Sequence, residues 1–115
     1  MSDAITCRYC SSAAIRSHVL RICLVHLTET TAVAERRIGG GPALERLWTR
    51  FVDEVAESDV TDWSAIRDAV DQGLRLAGVD AVAAAGRAEQ LADQVAERRA
   101  EIARFRGSVH VLERA

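Results

Sequence analysis

CRYCSSAAIRSHVLRICLVH, residues 7–26, holds all three cysteines of the 115-residue chain together with His26. Two pairs stand out in it, Cys7-x2-Cys10 and Cys23-x2-His26, with twelve residues between them. Zn2+ favours four tetrahedral sulfur and nitrogen ligands, and a two-residue spacer lets both members of a pair reach one metal. The spacing therefore describes a closed Cys3His zinc site formed by Cys7, Cys10, Cys23 and His26. Three small apolar cysteines in a core would be the plain alternative. Iron–sulfur ligation by the same four residues is a second, less suited to paired spacing of this kind.

Working outward, the chain is the size of one domain. Its formal net charge is −2 and its apolar fraction 49%, the profile of an ordinary globular protein. The apolar runs are short, and MSDAITCRYC shows neither a basic n-region nor an apolar h-region. An odd cysteine count also argues against a disulfide framework. A cytoplasmic location with reduced thiols is the expectation. All 15 basic residues are arginine, so no lysine is available for a phosphate loop or a Schiff base. Gly39-Gly40-Gly41-Pro42 accordingly reads as a linker. It divides a zinc-binding lobe, 1–41, from a helical lobe, 42–115. The first lobe carries five arginines against three acids and the second ten against fourteen.

Between residues 13 and 22 two patterns compete. Alternation through Ile15, Ser17, Val19 and Arg21 suits two short strands, while Ile15, Val19, Ile22 and His26 also fall at helical spacing. A hairpin is preferred because it returns Cys23 to Cys10, although its turn lacks the expected Gly or Asn. Cys23 to Ile38 then reads as a helix stopped by Gly39, with the second ligand pair in its first turn. Pro42 opens a second helix with a stripe of Leu44, Leu47, Trp48, Phe51, Val52 and Val55. Thr61 or Asp62 caps a third, whose face is Trp63, Ile66, Val70, Leu74 and Ala77, and which Gly78 ends. The two tryptophans sit on apolar faces and read as core rather than as stacking platforms.

Asp80 caps a last helix to about Arg106, with Gly107 as its stop. Its seam is Ala84, Ala88, Leu91, Val95, Ile102 and Phe105, interrupted by Arg98. The expected fold class is mostly α: a small N-terminal zinc-bound β-hairpin plus helix, then a three-helix bundle. The remaining tail, Val109-His110-Val111-Leu112, alternates like a short strand that would need a sheet to join; a loose terminus is the alternative.

The order knuckle, hairpin, then a helix whose first turn supplies two ligands resembles the treble-clef zinc fingers. The resemblance rests on the spacing of Cys7, Cys10, Cys23 and His26 and covers about twenty to thirty-five residues of the chain. It implies that Cys7 and Cys10 are knuckle ligands and Cys23 and His26 helix ligands. Ser11 stands where family knuckles commonly carry glycine. The ββα finger shares the first pair and the interval, but its last pair is His-x3-5-His.

Four ligands leave no open position for substrate or water, which favours a structural metal and a non-enzyme. His18 and His110 have no defined nucleophile partner. The chain has no asparagine, which removes the His and Asn signature of treble-clef-like nucleases. Two functions remain. One is a protein-interaction or assembly adaptor, bound to another protein or to itself through the acidic helical lobe. The alternative is a nucleic-acid-binding transcriptional regulator using Arg8, Arg16, Arg21, Arg36 and Arg37 on phosphates. Neither a membrane nor a small-molecule substrate is expected as a partner.

Overall fold

A computed structural model describes residues 7–10, Ala14 and residues 22–114, the last eight of these by backbone alone. The described residues form four helices: α1 (Leu24–Ile38), α2 (Pro42–Ala56), α3 (Trp63–Leu76) and α4 (Ala81–Arg114). No strand occurs among the described residues. The hairpin predicted for 13–22 lies, apart from Ala14 and Ile22, outside them.

Local chemistry sets most helix ends. Arg36 and Arg37 occupy the last turn of α1, where positive charge complements the dipole. Gly39 follows at φ 85°, and its N–H donates to the Glu35 carbonyl, a left-handed stop that a side chain would strain. Pro42 opens α2 at a position that has no intrahelical N–H bond to lose. Of the two predicted caps for α3, Asp62 is the one used, its carboxylate accepting the Ala65 N–H at 3.0 Å. Asp80 does the same for α4 through the Ala83 N–H at 2.9 Å.

The helices stand at four corners. α1 and α4 each pack against both α2 and α3, while neither pair of diagonal helices touches directly. This corrects the expected three-helix bundle, for α1 fills the corner that lets α2 and α3 stand apart. A close approach explains its place. A Cβ added to Gly73 of α3 would lie 2.6 Å from the Thr28 Cβ of α1 and against the Val25 carbonyl oxygen. Only glycine admits α1 so near. Thr28 is fully buried there, and its hydroxyl donates to the Leu24 carbonyl at 2.8 Å, which satisfies its polar group within its own helix.

One apolar cluster joins all four helices, from Leu24 and Leu27 through Phe51, Val55, Ile66 and Val70 to Leu91 and Val95. The α4 seam is fully buried at Ala84, Ala88, Leu91 and Val95. Arg98 leaves it for an exposed ion pair with Asp53 at 2.9 Å. Phe105, predicted for the same seam, is 70% exposed, because the neighbouring helices have ended.

The predicted end of α4 is also corrected. The helix continues through Gly107 to Arg114, so Val109–Leu112 is helical rather than a strand. An interior glycine costs a helix about 1 kcal/mol relative to alanine. A lone strand with no sheet edge would leave its whole backbone unpaired. Extending the helix is the smaller cost.

Candidate metal centre

Three backbone segments converge on one point beside the start of α1. The turn at residues 7–10 brings Cys7 and Cys10; Cys23 is the extended residue immediately before α1; His26 lies in its first turn. Residues three apart on a helix share a face, so Cys23 and His26 point the same way. One ligand atom from each of the four residues lies within 4.8 Å of all the others. This is an arrangement compatible with a Cys3His metal site.

Tetrahedral geometry gives a stricter comparison. Zn–S bonds of about 2.3 Å and a Zn–N bond of about 2.0 Å place sulfurs about 3.8 Å apart, and sulfur and nitrogen about 3.5 Å apart. Cys10 Sγ and Cys23 Sγ are separated by 3.8 Å. His26 Nδ1 stands 3.7 Å from Cys7 Sγ and 3.2 Å from Cys23 Sγ. The imidazole thus meets the sulfurs through Nδ1. Of the alternatives in the sequence, separate core cysteines would have no reason to adopt these edges.

The surroundings hold the donors in place. Cys7 and Cys23 are 4% and 5% exposed and belong to the same apolar cluster as the bundle core, together with Ile22. Cys10 and His26 are half-buried. Tyr9 donates its backbone N–H to Cys7 Sγ at 3.4 Å, and its ring lies 5.5 Å from that of His26, tilted by 36°. Tyr9 was not apparent as a site residue from the sequence. Its place inside the Cys-x2-Cys turn is the signal that could have found it, because backbone amides there point at sulfur.

The thiols are electrostatically unequal. Burial pushes the Cys7 thiol up, but the backbone N–H groups of Tyr9, Cys23 and Cys10 and the Cys23 thiol together bring it down to about 6. Burial pushes Cys23 up to about 11; the His26 backbone N–H opposes this, while the Cys7 and Cys10 side chains reinforce it. One thiol is pushed down and its neighbour up, as expected where adjacent thiols cannot all ionise without a cation. A bound metal supplies that cation and displaces the proton.

Of the five arginines proposed for phosphate contact, Arg8, Arg36 and Arg37 are among the described residues. Arg8 is exposed within the Cys7–Cys10 turn. Arg36 and Arg37 are exposed in the last turn of α1, about 15 Å along the axis from His26 at 1.5 Å per residue. Arg16 and Arg21 lie outside the described residues, as do His18 and the His110 side chain.

A different arginine proves structural. Arg99 of α4 donates to the carbonyls of Ala56, Val55, Ser58 and Val60 at 3.0, 2.9, 3.3 and 2.8 Å. It thereby satisfies carbonyls at the end of α2 and in the loop that follows. Its partners are about forty residues away, a pairing that helical periodicity does not reveal.

No protein-family model, curated protein or solved structure matches the chain. Among the described residues, no helix is long and apolar enough to cross a membrane.

Proposed function

We propose that this protein is a non-enzymatic protein-interaction adaptor whose N-terminal segment is fixed by a structural Zn2+ on Cys7, Cys10, Cys23 and His26. The observation that carries the reading is the convergence of four ligand atoms within 4.8 Å of one another, three of their separations falling near tetrahedral edge lengths, with two of their residues built into the bundle core. A shell of four protein ligands holds a metal without leaving a position for substrate. The zinc ties the Cys7–Cys10 turn to the start of α1 in a treble-clef-like order of ligands. α1 ties that unit to the other helices. The acidic balance of residues 42–115 suits a protein-binding face more than a phosphate-binding one. The regulator reading draws no support from Arg36 and Arg37, which stand at the far end of α1 from the metal ligands.

Elemental analysis with native mass spectrometry, on protein purified without added metal, is expected to give one zinc per chain. A salt titration against duplex DNA and RNA separates the two functions. Binding that weakens steeply with salt, as contact with five phosphates predicts, would establish the regulator. Absence of binding supports the adaptor.

A further inference from the structure

The two halves of α4 differ in what covers them. Up to Val95 the seam is buried under the bundle. Arg98 takes the next seam position and pairs with Asp53 at 2.9 Å and with Glu101 at 3.2 Å. Arg99 then closes the end of α2, Ile102 packs half-buried against the edge of the core, and beyond it the bundle stops. Ala103, Arg104, Phe105 and Arg106 are all exposed. A helix of 34 residues spans about 51 Å at 1.5 Å per residue, close to the longest dimension of the molecule, 52 Å. α2 and α3, of 15 and 14 residues, are less than half as long. The last turns of α4 therefore stand clear of them.

The apolar spacing does not stop where the bundle does. After Val95 and Arg98 the alternation of four and three continues through Ile102, Phe105, Val109 and Leu112 in the sequence. Residues 84–112 thus follow one heptad register, whose apolar positions are the ones that pair in coiled coils. A helix end meant only for water would have no use for such a register. We infer that the overhang of α4, Ile102 to Leu112, pairs antiparallel with the same stretch of a second copy of this chain.

Geometry and charge select the direction. The seam side of α4 is occupied by α2 and α3 as far as Val95, so a parallel partner helix would run into that space. An antiparallel one leaves it past the C-terminal end. Centred near Gly107, antiparallel pairing sets Ile102 at the level of Leu112 of the partner subunit and Phe105 at the level of Val109 of the partner subunit. Residues 103–114 carry three arginines against Glu113 alone. Beside the overhang, Glu57 and Glu101 line a groove of about 590 Å³ with Ile102, Phe105, Arg98 and Arg106, and Asp59 follows in the same loop as Glu57. Antiparallel pairing brings each basic overhang toward Glu57 and Asp59 of the other copy, whereas parallel pairing sets like charge beside like.

The inference deepens the adaptor reading by naming a partner, and rests on it only in that the helical part binds protein. It does not depend on the metal. Sedimentation equilibrium of the full chain, from low to high micromolar, is expected to show a reversible dimer. Phe105→Glu is expected to raise the dimer dissociation constant at least about a hundredfold, the loss typical of a central aromatic contact. Its far-UV circular dichroism should not change, because Phe105 is already exposed. A photoreactive benzoylphenylalanine at position 112 is expected to crosslink to residues 101–103 of the other copy. A monomer at every concentration, including one that instead sediments with anionic vesicles, overturns the inference. So does a dimer indifferent to Phe105→Glu, or a crosslink from position 112 to the other copy's position 112. If chelation abolishes the dimer while α4 stays helical, the interface lies at the metal centre and the inference again fails; zinc stoichiometry tests the metal reading separately.

Discussion

Cys23 at the head of α1 and Val95 in the middle of α4 are both buried in one core, yet their neighbourhoods are held by unlike forces. Around Val95 the stabilising contacts are apolar, with Ala88, Leu91 and Ala92 fully buried beside it. Such contacts are numerous, weak and replaceable. Around Cys23 the converging groups are three sulfurs and an imidazole, with few apolar side chains on the 7–10 turn to support them. A turn of this composition gains little by burial alone. With the proposed zinc in place, one core joins a region specified by shape to one specified by coordination, and the two should fail independently.

Removing the metal has the largest expected effect on that contrast. A structural zinc contributes apparent free energy on the order of 10–16 kcal/mol, whereas a single core side chain contributes a few. Chelation is expected to strip hydrogen-exchange protection from the described residues around Cys7–Cys10 and Ile22–Leu27. The amides of α3 and of α4 up to Val95 should keep theirs. Simultaneous loss in α3 and α4 would mean that the bundle has no stability of its own.

Substitutions in the bundle give the converse at smaller size. Leu91→Ala empties a fully buried site and is expected to lower unfolding free energy by about 3 kcal/mol. Zinc stoichiometry should remain unchanged. Arg99→Ala removes the guanidinium from the carbonyls of Ala56, Ser58 and Val60, while that of Val55 keeps the Ser58 N–H and hydroxyl, and is expected to cost about 2 kcal/mol. Chemical denaturation of the metal-loaded protein measures both. A larger loss for Arg99→Ala than for Leu91→Ala would place the bundle's stability in its polar closure rather than in its seam.

What could be read from the sequence divides along the same line. The clustering of Cys7, Cys10, Cys23 and His26 was legible because its chemistry lies in short spacings, Cys-x2-Cys and Cys-x2-His, which also fix which residues share a helix face. Helix ends at Gly39, Pro42, Asp62, Gly78 and Asp80 were legible for the same reason, being local backbone requirements. The fourth corner of the bundle was not. It depends on Gly73 meeting Val25 and Thr28, an encounter between helices far apart in sequence. Arg99 was hidden likewise, as one more charged residue in ERRAEIARFR until its carbonyl partners were in place. The tail was misread because Val109-His110-Val111-Leu112 alternates over too few residues to separate a strand from the last turns of a helix that Gly107 does not stop.

The proposed metal centre is a four-ligand shell of three sulfurs and one nitrogen. X-ray absorption at the zinc edge on the purified, unsupplemented protein tests it most directly. Three sulfurs at about 2.3 Å and one nitrogen at about 2.0 Å are expected, with Cys10→Ser removing one sulfur from the shell. A shell of five or six light atoms, or a sulfur count that Cys10→Ser leaves unchanged, would contradict it.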